Sequence, residues 1–423
     1  MTIATLWTCT VIIMAVAATL TGLYLSSRQK SSVLIHRDAV PGRFEGHVSL
    51  AAHQKAAAYT LAKLSLGNLS SVFGLILLII WTVGGGLDVL DHGLRMLAWS
   101  DTWTGVGLLI AFFLIGHIIE LPLDVYATFA IEGRFGFNKV TPRLYISDMF
   151  KQLLLMLVIG VPLVWLILTL MQGAGSLWWL YAWGVWTAFT LLMMWAYPTL
   201  IAPLFNKFRP LEEGELKSRI EALLDRCGFK SSGLFIMDGS RRSSHGNAYF
   251  TGLGNAKRIV FFDTLINQLE SSEVEAVLAH ELGHFRHGHV RKRLLSMTAA
   301  SLIGFATLGW LVGENWFYAG LGISQPSNAM ALLLFMLVMP AFTFMLAPLF
   351  HYFSRKHEFQ ADAYAVANSS GEALSAALVK MYEDNASTLT PDAMYSAWND
   401  SHPPAPVRIA HIEMLSGISR STG

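Results

Sequence analysis

Glu275-Ala-Val-Leu-Ala-His280-Glu281-Leu-Gly-His284-Phe-Arg-His287 contains the pattern His-Glu-x-x-His, and its spacing predicts a helix. Val274, Val277, Leu278 and Leu282 recur at helical intervals. Ser272 is the expected N-cap, with Glu275 three residues on completing a capping box. Residues four apart on a helix lie one turn above each other, so His280 and His284 share a face. Two imidazoles at that separation can bind one Zn²⁺, with Glu281 beside them to handle a water's proton. These are the groups of a zinc peptidase: His280 and His284 as metal ligands, Glu281 as catalytic base. The plainer alternative is a helix that merely carries two histidines.

Working outward, the chain around this helix is strongly apolar. Of 423 residues, 53% are hydrophobic and only 14% charged, and the mean hydropathy is +0.47. A soluble domain carries about a quarter charged residues, so the composition is that of a membrane protein in contact with a lipid bilayer. A net charge of +1 speaks against nucleic acid, whose binding needs a concentrated basic surface. Cys9 falls in an apolar run and Cys227 in a polar segment, so neither a disulfide nor a cysteine metal site is expected.

A bilayer crossing takes roughly 20 apolar residues per helix. Seven stretches meet that length, near residues 3–25, 66–87, 102–123, 151–171, 177–201, 296–320 and 329–353. No basic residue precedes the first, which reads as a retained span rather than a signal peptide. Trp178, Trp179, Trp195 and Tyr197 flank the fifth as interface anchors do. Pro340 and Pro348 are expected to kink the seventh. His117, Glu120 and Asp124 end the third, facing either an aqueous cavity or the cytoplasmic interface. Arg28, Lys30, Arg37, Arg43, Lys55 and Lys63 lie between the first two spans, and Arg134, Lys139, Arg143 and Lys151 follow the third. Lys207, Arg209, Arg291, Lys292 and Arg293 flank the long polar segment, while the alternate connections hold only Arg95. The positive-inside rule then puts the N-terminus outside and the polar segments in the cytoplasm.

The expected organisation is mainly α and polytopic. Residues 1–205 carry five transmembrane helices and their cytoplasmic loops, and 206–295 form a cytoplasmic peptidase segment with the motif helix. Residues 296–353 hold the last two spans, and 354–423 form a second cytoplasmic peptidase segment. Short strands are expected at 234–237 and 258–262, with an extended piece and turn near 245–254 between them.

A catalytic zinc needs a third protein ligand and an open position. The best candidate is Glu358, in Ser354-Arg-Lys-His-Glu358-Phe-Gln-Ala-Asp362-Ala, expected to continue the seventh span into the cytoplasm. Asp362, four residues on, can accept a hydrogen bond from the free ring nitrogen of a ligand histidine, here assigned to His280. The competing reading is a solvated face answering Arg355 and Lys356. His357 is a rival ligand, but on a helix it points about 100° away from Glu358. His287 and His289 read as solvated neighbours.

Further pieces carry a resemblance. They are Glu120-Leu-Pro followed by Tyr126-x-Thr-Phe-x-Ile-Glu132-x-x-Phe-Gly-Phe-Asn138, Tyr197-Pro-x-x-Ile-Ala-Pro-Leu-Phe-Asn-Lys-Phe208, and His245-Gly-Asn-Ala-Tyr-Phe250. With the motif helix, Glu358-Phe-Gln-Ala-Asp362, and Ser401-His-Pro-Pro404 with Arg408, they occur in order along nearly the whole chain. The chain resembles the CAAX prenyl protease type 1 family of integral membrane zinc metalloproteases. It fits that family better than the shorter HtpX-type proteases, which have fewer spans.

The resemblance implies a barrel of seven helices around an intramembrane chamber, with one zinc per chain at its cytoplasmic end. It also implies that Asn247 holds the substrate backbone, that His402 stabilises the oxyanion, and that Arg408 braces the region. Ala248 and Tyr249 would then belong to a strand edge that pairs with an extended peptide. Eukaryotic members trim the last three residues from prenylated Cys-a-a-X ends. This chain ends Ser-Arg-Ser-Thr-Gly, without an endoplasmic-reticulum retrieval signal, which favours a bacterial homologue in the inner membrane over an endoplasmic-reticulum protein. The expected substrate is a peptide or protein, lipidated or membrane-bound. The rivals are an HtpX-like quality-control protease and a non-catalytic chaperone or transporter. A transporter has no need of the zinc-peptidase helix.

Overall fold

A computed structural model describes residues 1–251 and 258–417. Among these, seven helical stretches are long and apolar enough to cross a membrane: Ile3–Ile35, Leu50–Trp81, Asp101–Glu132, Pro142–Gly173, Gly175–Phe205, His289–Leu311 and Asn328–Asn368. The helices outrun the apolar runs that announced them. The first two have 33 and 32 residues, about 50 Å at the helical rise per residue, so each projects beyond a bilayer core. The second ends at Trp81 rather than 87, where Gly85 in the left-handed region opens a short helix, Gly86–Arg95. The sixth ends at Leu311 rather than 320, and Glu314 caps a separate turn, Asn315–Ala319. Hydropathy averages across such breaks, which is why the apolar runs conceal them.

The seventh span consists of two helices, Asn328–Thr343 and Ala347–Asn368, joined by one 3₁₀ turn at Phe344–Leu346. Pro340 withdraws a backbone donor just before that turn. Pro348 lies in the first turn of the second helix, where no donor is needed. The second helix then runs on to Asn368 and carries Glu358 with it.

Two large hydrophobic cores and a smaller one around Tyr59, Phe135 and Phe137 organise the described residues. One large core packs Val11, Leu108, Leu168, Trp178, Leu308 and Leu333 from the spans. The other surrounds the motif helix and draws Ile220, Ile259, Phe261, Leu278, Leu282, Leu378 and Ile409 from the polar segments. The second core includes a four-stranded sheet of β1 (Phe208–Pro210), β2 (Leu234–Met237), β3 (Ala248–Thr251) and β4 (Arg258–Phe262) in the order β1-β2-β4-β3. β2 and β4 match the strands expected from sequence, and they pair in parallel. β3 runs antiparallel to β4 and forms one edge. Part of the turn expected near Gly252 and Gly254 lies outside the described residues. Cys9 and Cys227 are free thiols.

The motif helix, Ser271–Arg286, packs mainly against Ala347–Asn368. Gly283 is what lets them touch. A Cβ at this position would stand 2.8 Å from Ala361 Cα and 3.0 Å from Ala361 O, both backbone atoms that cannot step aside. Ala361 itself is fully buried and small. A Gly283→Ala substitution is therefore expected to force the two helices apart, costing about 1–3 kcal/mol as overpacking does. Thermal unfolding of the detergent-solubilised protein would check this, and an unchanged melting curve would refute it.

Candidate metal centre

The motif helix begins with Glu270 as N-cap, and Glu273 closes a capping box by accepting the Glu270 N–H at 2.8 Å. The Ser272–Glu275 box expected from sequence does not form. Glutamate is not among the favoured N-caps, and the better-looking serine lies one turn-start too late. Glu275 pairs instead with Arg226 at 2.7 Å and Arg219 at 3.3 Å. Lys380 holds Glu273 at 2.7 Å, so the helix start is tied to both neighbouring helices.

Further along the same helix, His280 Nε2 and His284 Nε2 approach to 3.2 Å. Glu358 arrives from Ala347–Asn368 with Oε2 at 3.3 Å from His280 Nε2 and Oε1 at 3.2 Å from His284 Nε2. One atom from each residue lies within 4.8 Å of the other two. Glu358 is only 3% exposed, and its Oε2 makes no hydrogen bond among the described residues. A buried acceptor with no donor is costly, and a cation shared by the three groups removes that cost. Two imidazoles and one carboxylate are a donor set that a divalent metal, zinc above all, accepts. The residues present therefore fit a metal.

Both ring nitrogens facing away from this group are also engaged. His280 Nδ1 lies 2.8 Å from Asp362 Oδ1. Asp362 is fully buried and receives the Arg408 guanidinium twice, through Nε at 3.0 Å and Nη2 at 2.6 Å. Arg408 Nη1 reaches 3.8 Å from Glu358 Oε2, so one cation braces both carboxylates. Burial and the Arg408 charge favour neutral His280. The nearby Asp362 and Glu358 carboxylates favour the imidazolium and prevail, raising the ring's pKa above the usual histidine value.

On the other ligand, His284 Nδ1 lies 3.0 Å from His289 Nδ1, and His289 Nε2 lies 2.9 Å from Gln360 Oε1. His289 is 4% exposed, which corrects its reading as a solvated neighbour; His287 is exposed as expected. Five residues along an unbroken helix would turn His289 about 140° away from His284. The helix ends at Arg286 with His287 as its cap, however, and Gly288 at φ 64° redirects the chain before the sixth span begins. His357 stacks on His289 at 4.0 Å and takes no part in the His-His-Glu group.

Glu281, half-buried beside His280, makes no ion pair or hydrogen bond among the described residues. His402 comes from the loop before helix Ala405–Leu415, with Nε2 3.5 Å from Glu358 Oε1 and an exposed ring. Its Nδ1 lies 3.0 Å from Ser401 Oγ. Asn247 is exposed just ahead of β3, and no hydrogen bond joins it to the His-His-Glu group among the described residues. Its C=O accepts the Phe262 N–H at 2.9 Å. Antiparallel pairing alternates, so Tyr249 also faces β4 while the backbone groups of Ala248 and Phe250 face the open edge. The Asn247 Oδ1 takes the Ala248 N–H at 2.8 Å.

Cavities lead away from this centre. One of about 790 Å³ includes His402, His245 and Asn385 in its lining and reaches Gly22, Ser71 and Phe344. Those three residues also line a cavity of about 860 Å³ among the spans, with Leu78, Phe112 and Met336. Glu120 and His117 border the second cavity, and His117 and Asp124 border a third of about 930 Å³. The three ionisable residues ending the third span are thus exposed and border these cavities.

Because Asp362 and Arg408 are buried together, removing one partner leaves an uncompensated charge. Arg408→Leu is expected to cost about 3–5 kcal/mol, and Asp362→Asn in the same chain should return part of that loss. A double-mutant cycle by thermal unfolding measures the coupling; strictly additive effects would refute it.

The sequence matches two family descriptions. "CAAX prenyl protease N-terminal, five membrane helices" covers residues 29–207, and "Peptidase family M48" covers residues 210–416. It is 34% identical over 411 residues to a CAAX prenyl protease 1 homolog of Arabidopsis thaliana, covering 92% of this chain and 93% of that one. It is 36% identical over 324 residues to CAAX prenyl protease 1 of Saccharomyces cerevisiae, covering 71% and 70%. The crystal structure of S. mikatae Ste24p superposes with a TM-score of 0.90 at 30% identity, over 96% of this chain and 99% of that chain.

Proposed function

We propose that this chain, which belongs to the CAAX prenyl protease 1 family of M48 metallopeptidases, uses zinc to cut lipid-bearing peptides at the cytoplasmic face of its membrane. The observation that carries the zinc reading is the convergence of His280, His284 and Glu358, whose buried Oε2 has no donor among the described residues, beside Glu281. When bound, zinc supplies a Lewis acid that polarises a carbonyl and lowers the pKa of water.

The protein's own groups supply the rest. Glu281 takes the proton of the attacking water and delivers it to the leaving amine. His402, exposed beside the metal group, donates a hydrogen bond to the oxyanion of the tetrahedral intermediate. The β3 edge offers the C=O of Ala248 and both backbone groups of Phe250 to an extended substrate, with the Asn247 amide at its head. Asp362 accepts from His280 Nδ1–H and fixes that ring, and Arg408 fixes Asp362 in turn.

A lipid-bearing substrate is supported by the cavity of about 860 Å³ among the spans and by its junction with the cavity at His402. An acyl or prenyl chain can lie there while its peptide reaches the strand edge. The arginines and lysines that follow the first, third and fifth spans support a cytoplasmic position for the centre.

Purified protein is expected to hold one zinc and to cleave a fluorogenic farnesylated peptide ending in Cys-a-a-X. The unlipidated peptide should be cleaved more slowly, and a chelator should stop both reactions. Glu281→Gln should retain the metal and lose about 10²–10⁴-fold in kcat. Cleavage by metal-free protein would contradict the zinc reading, and equal rates on the two peptides would contradict the lipid reading alone.

A further inference from the structure

We propose that His289 is a positioning residue for the metal centre, holding His284 through its Nδ1–H as Asp362 holds His280. The inference rests on the metal reading above and adds a residue outside the His-Glu-x-x-His pattern and its third ligand. The ring of His284 turns its Nε2 towards Glu358 and His280, and its Nδ1 towards His289. An imidazole that ligates through Nε2 carries its proton on Nδ1. At 3.0 Å the atom facing that proton is His289 Nδ1, which must accept. The remaining proton of neutral His289 then sits on Nε2, where it meets Gln360 Oε1 at 2.9 Å, an atom that only accepts. Every proton of the series His284–His289–Gln360 is thereby assigned without placing a charge on any member.

The support is rigid. His289 is 4% exposed and stacks on His357 with ring centres 4.0 Å apart and planes 15° from parallel. Gln360 lies two residues beyond Glu358 on the same helix, so one helix supplies the third ligand and the last anchor of this series. Gly288 contributes the left-handed turn without which His289 would point elsewhere. The two histidine ligands therefore have unlike supports. His280 is backed by a carboxylate braced by arginine, whereas His284 is backed by a neutral imidazole braced by an amide. A neutral support draws off less of a bound cation's charge than a second carboxylate would.

The test uses full-length protein in detergent and zinc alone, titrated against a chromophoric chelator. His289→Phe keeps a stacked ring but removes the acceptor, and it should weaken zinc binding about 10–100-fold. His289→Asn places an amide oxygen near the position of Nδ1 and should restore most of that loss. Wild-type affinity in His289→Phe would overturn the proposal. Equal weakness in both variants would also overturn it, because it would mean that the ring matters only as packing. Should His289→Phe not fold, Gln360→Met carries the test at a half-buried position: weakened zinc binding supports the series, and unchanged binding overturns it. Wild-type protein that takes up no zinc would remove the metal reading and this inference with it. Normal zinc uptake with indifferent variants would remove the inference only.

Discussion

The close contact of two helices at Gly283 and Ala361 is the constraint on which the site depends. Without a side chain at Gly283, the motif helix lies against the continuation of the seventh span at backbone distance. At that separation a carboxylate on one helix reaches two imidazoles on the other, with 3.2 and 3.3 Å between the facing atoms. A methyl group at the crossing would act on both distances together. The small residue, chain neighbour of His284, thus serves the metal centre through the approach it allows rather than through a side chain of its own.

Around the crossing, polar groups that would be costly in isolation are satisfied in series. Asp362 is fully buried, and its charge is met by Arg408 and His280. Breaking such a pair costs more than making it contributes, so these groups are better understood as fixing ring orientation than as sources of stability. The stability comes from the core beneath, where Leu278, Leu282, Ile259, Phe261 and Ile409 pack together. Stretches far apart in the chain, from Phe44 to Ile412, meet there.

The membrane part is therefore more than an anchor. It has a core of its own, while space among the spans opens towards His402 through shared lining residues. The edge strand β3 lies on the same side as the centre, packed against the motif helix.

Much of this was legible in the sequence. The His-Glu-x-x-His spacing, seven apolar stretches, two strands and the Glu358–Asp362 pair all rest on local periodicity, which a linear chain displays directly. The charge bias between successive spans is equally local. The cap at Glu270, the early ends of the second and sixth spans and the burial of His289 were not legible. Each depends on a turn, such as the one at Gly288, that changes direction without changing hydropathy. By itself, then, the sequence determined which chemistry the chain carries and that a bilayer surrounds it, because residue type and spacing suffice for both. Only the tertiary structure decided that Glu358, His402, Arg408 and His289 stand within reach of that chemistry. Such contacts join residues far apart in the chain, or redirected by a single glycine, and no periodicity records them.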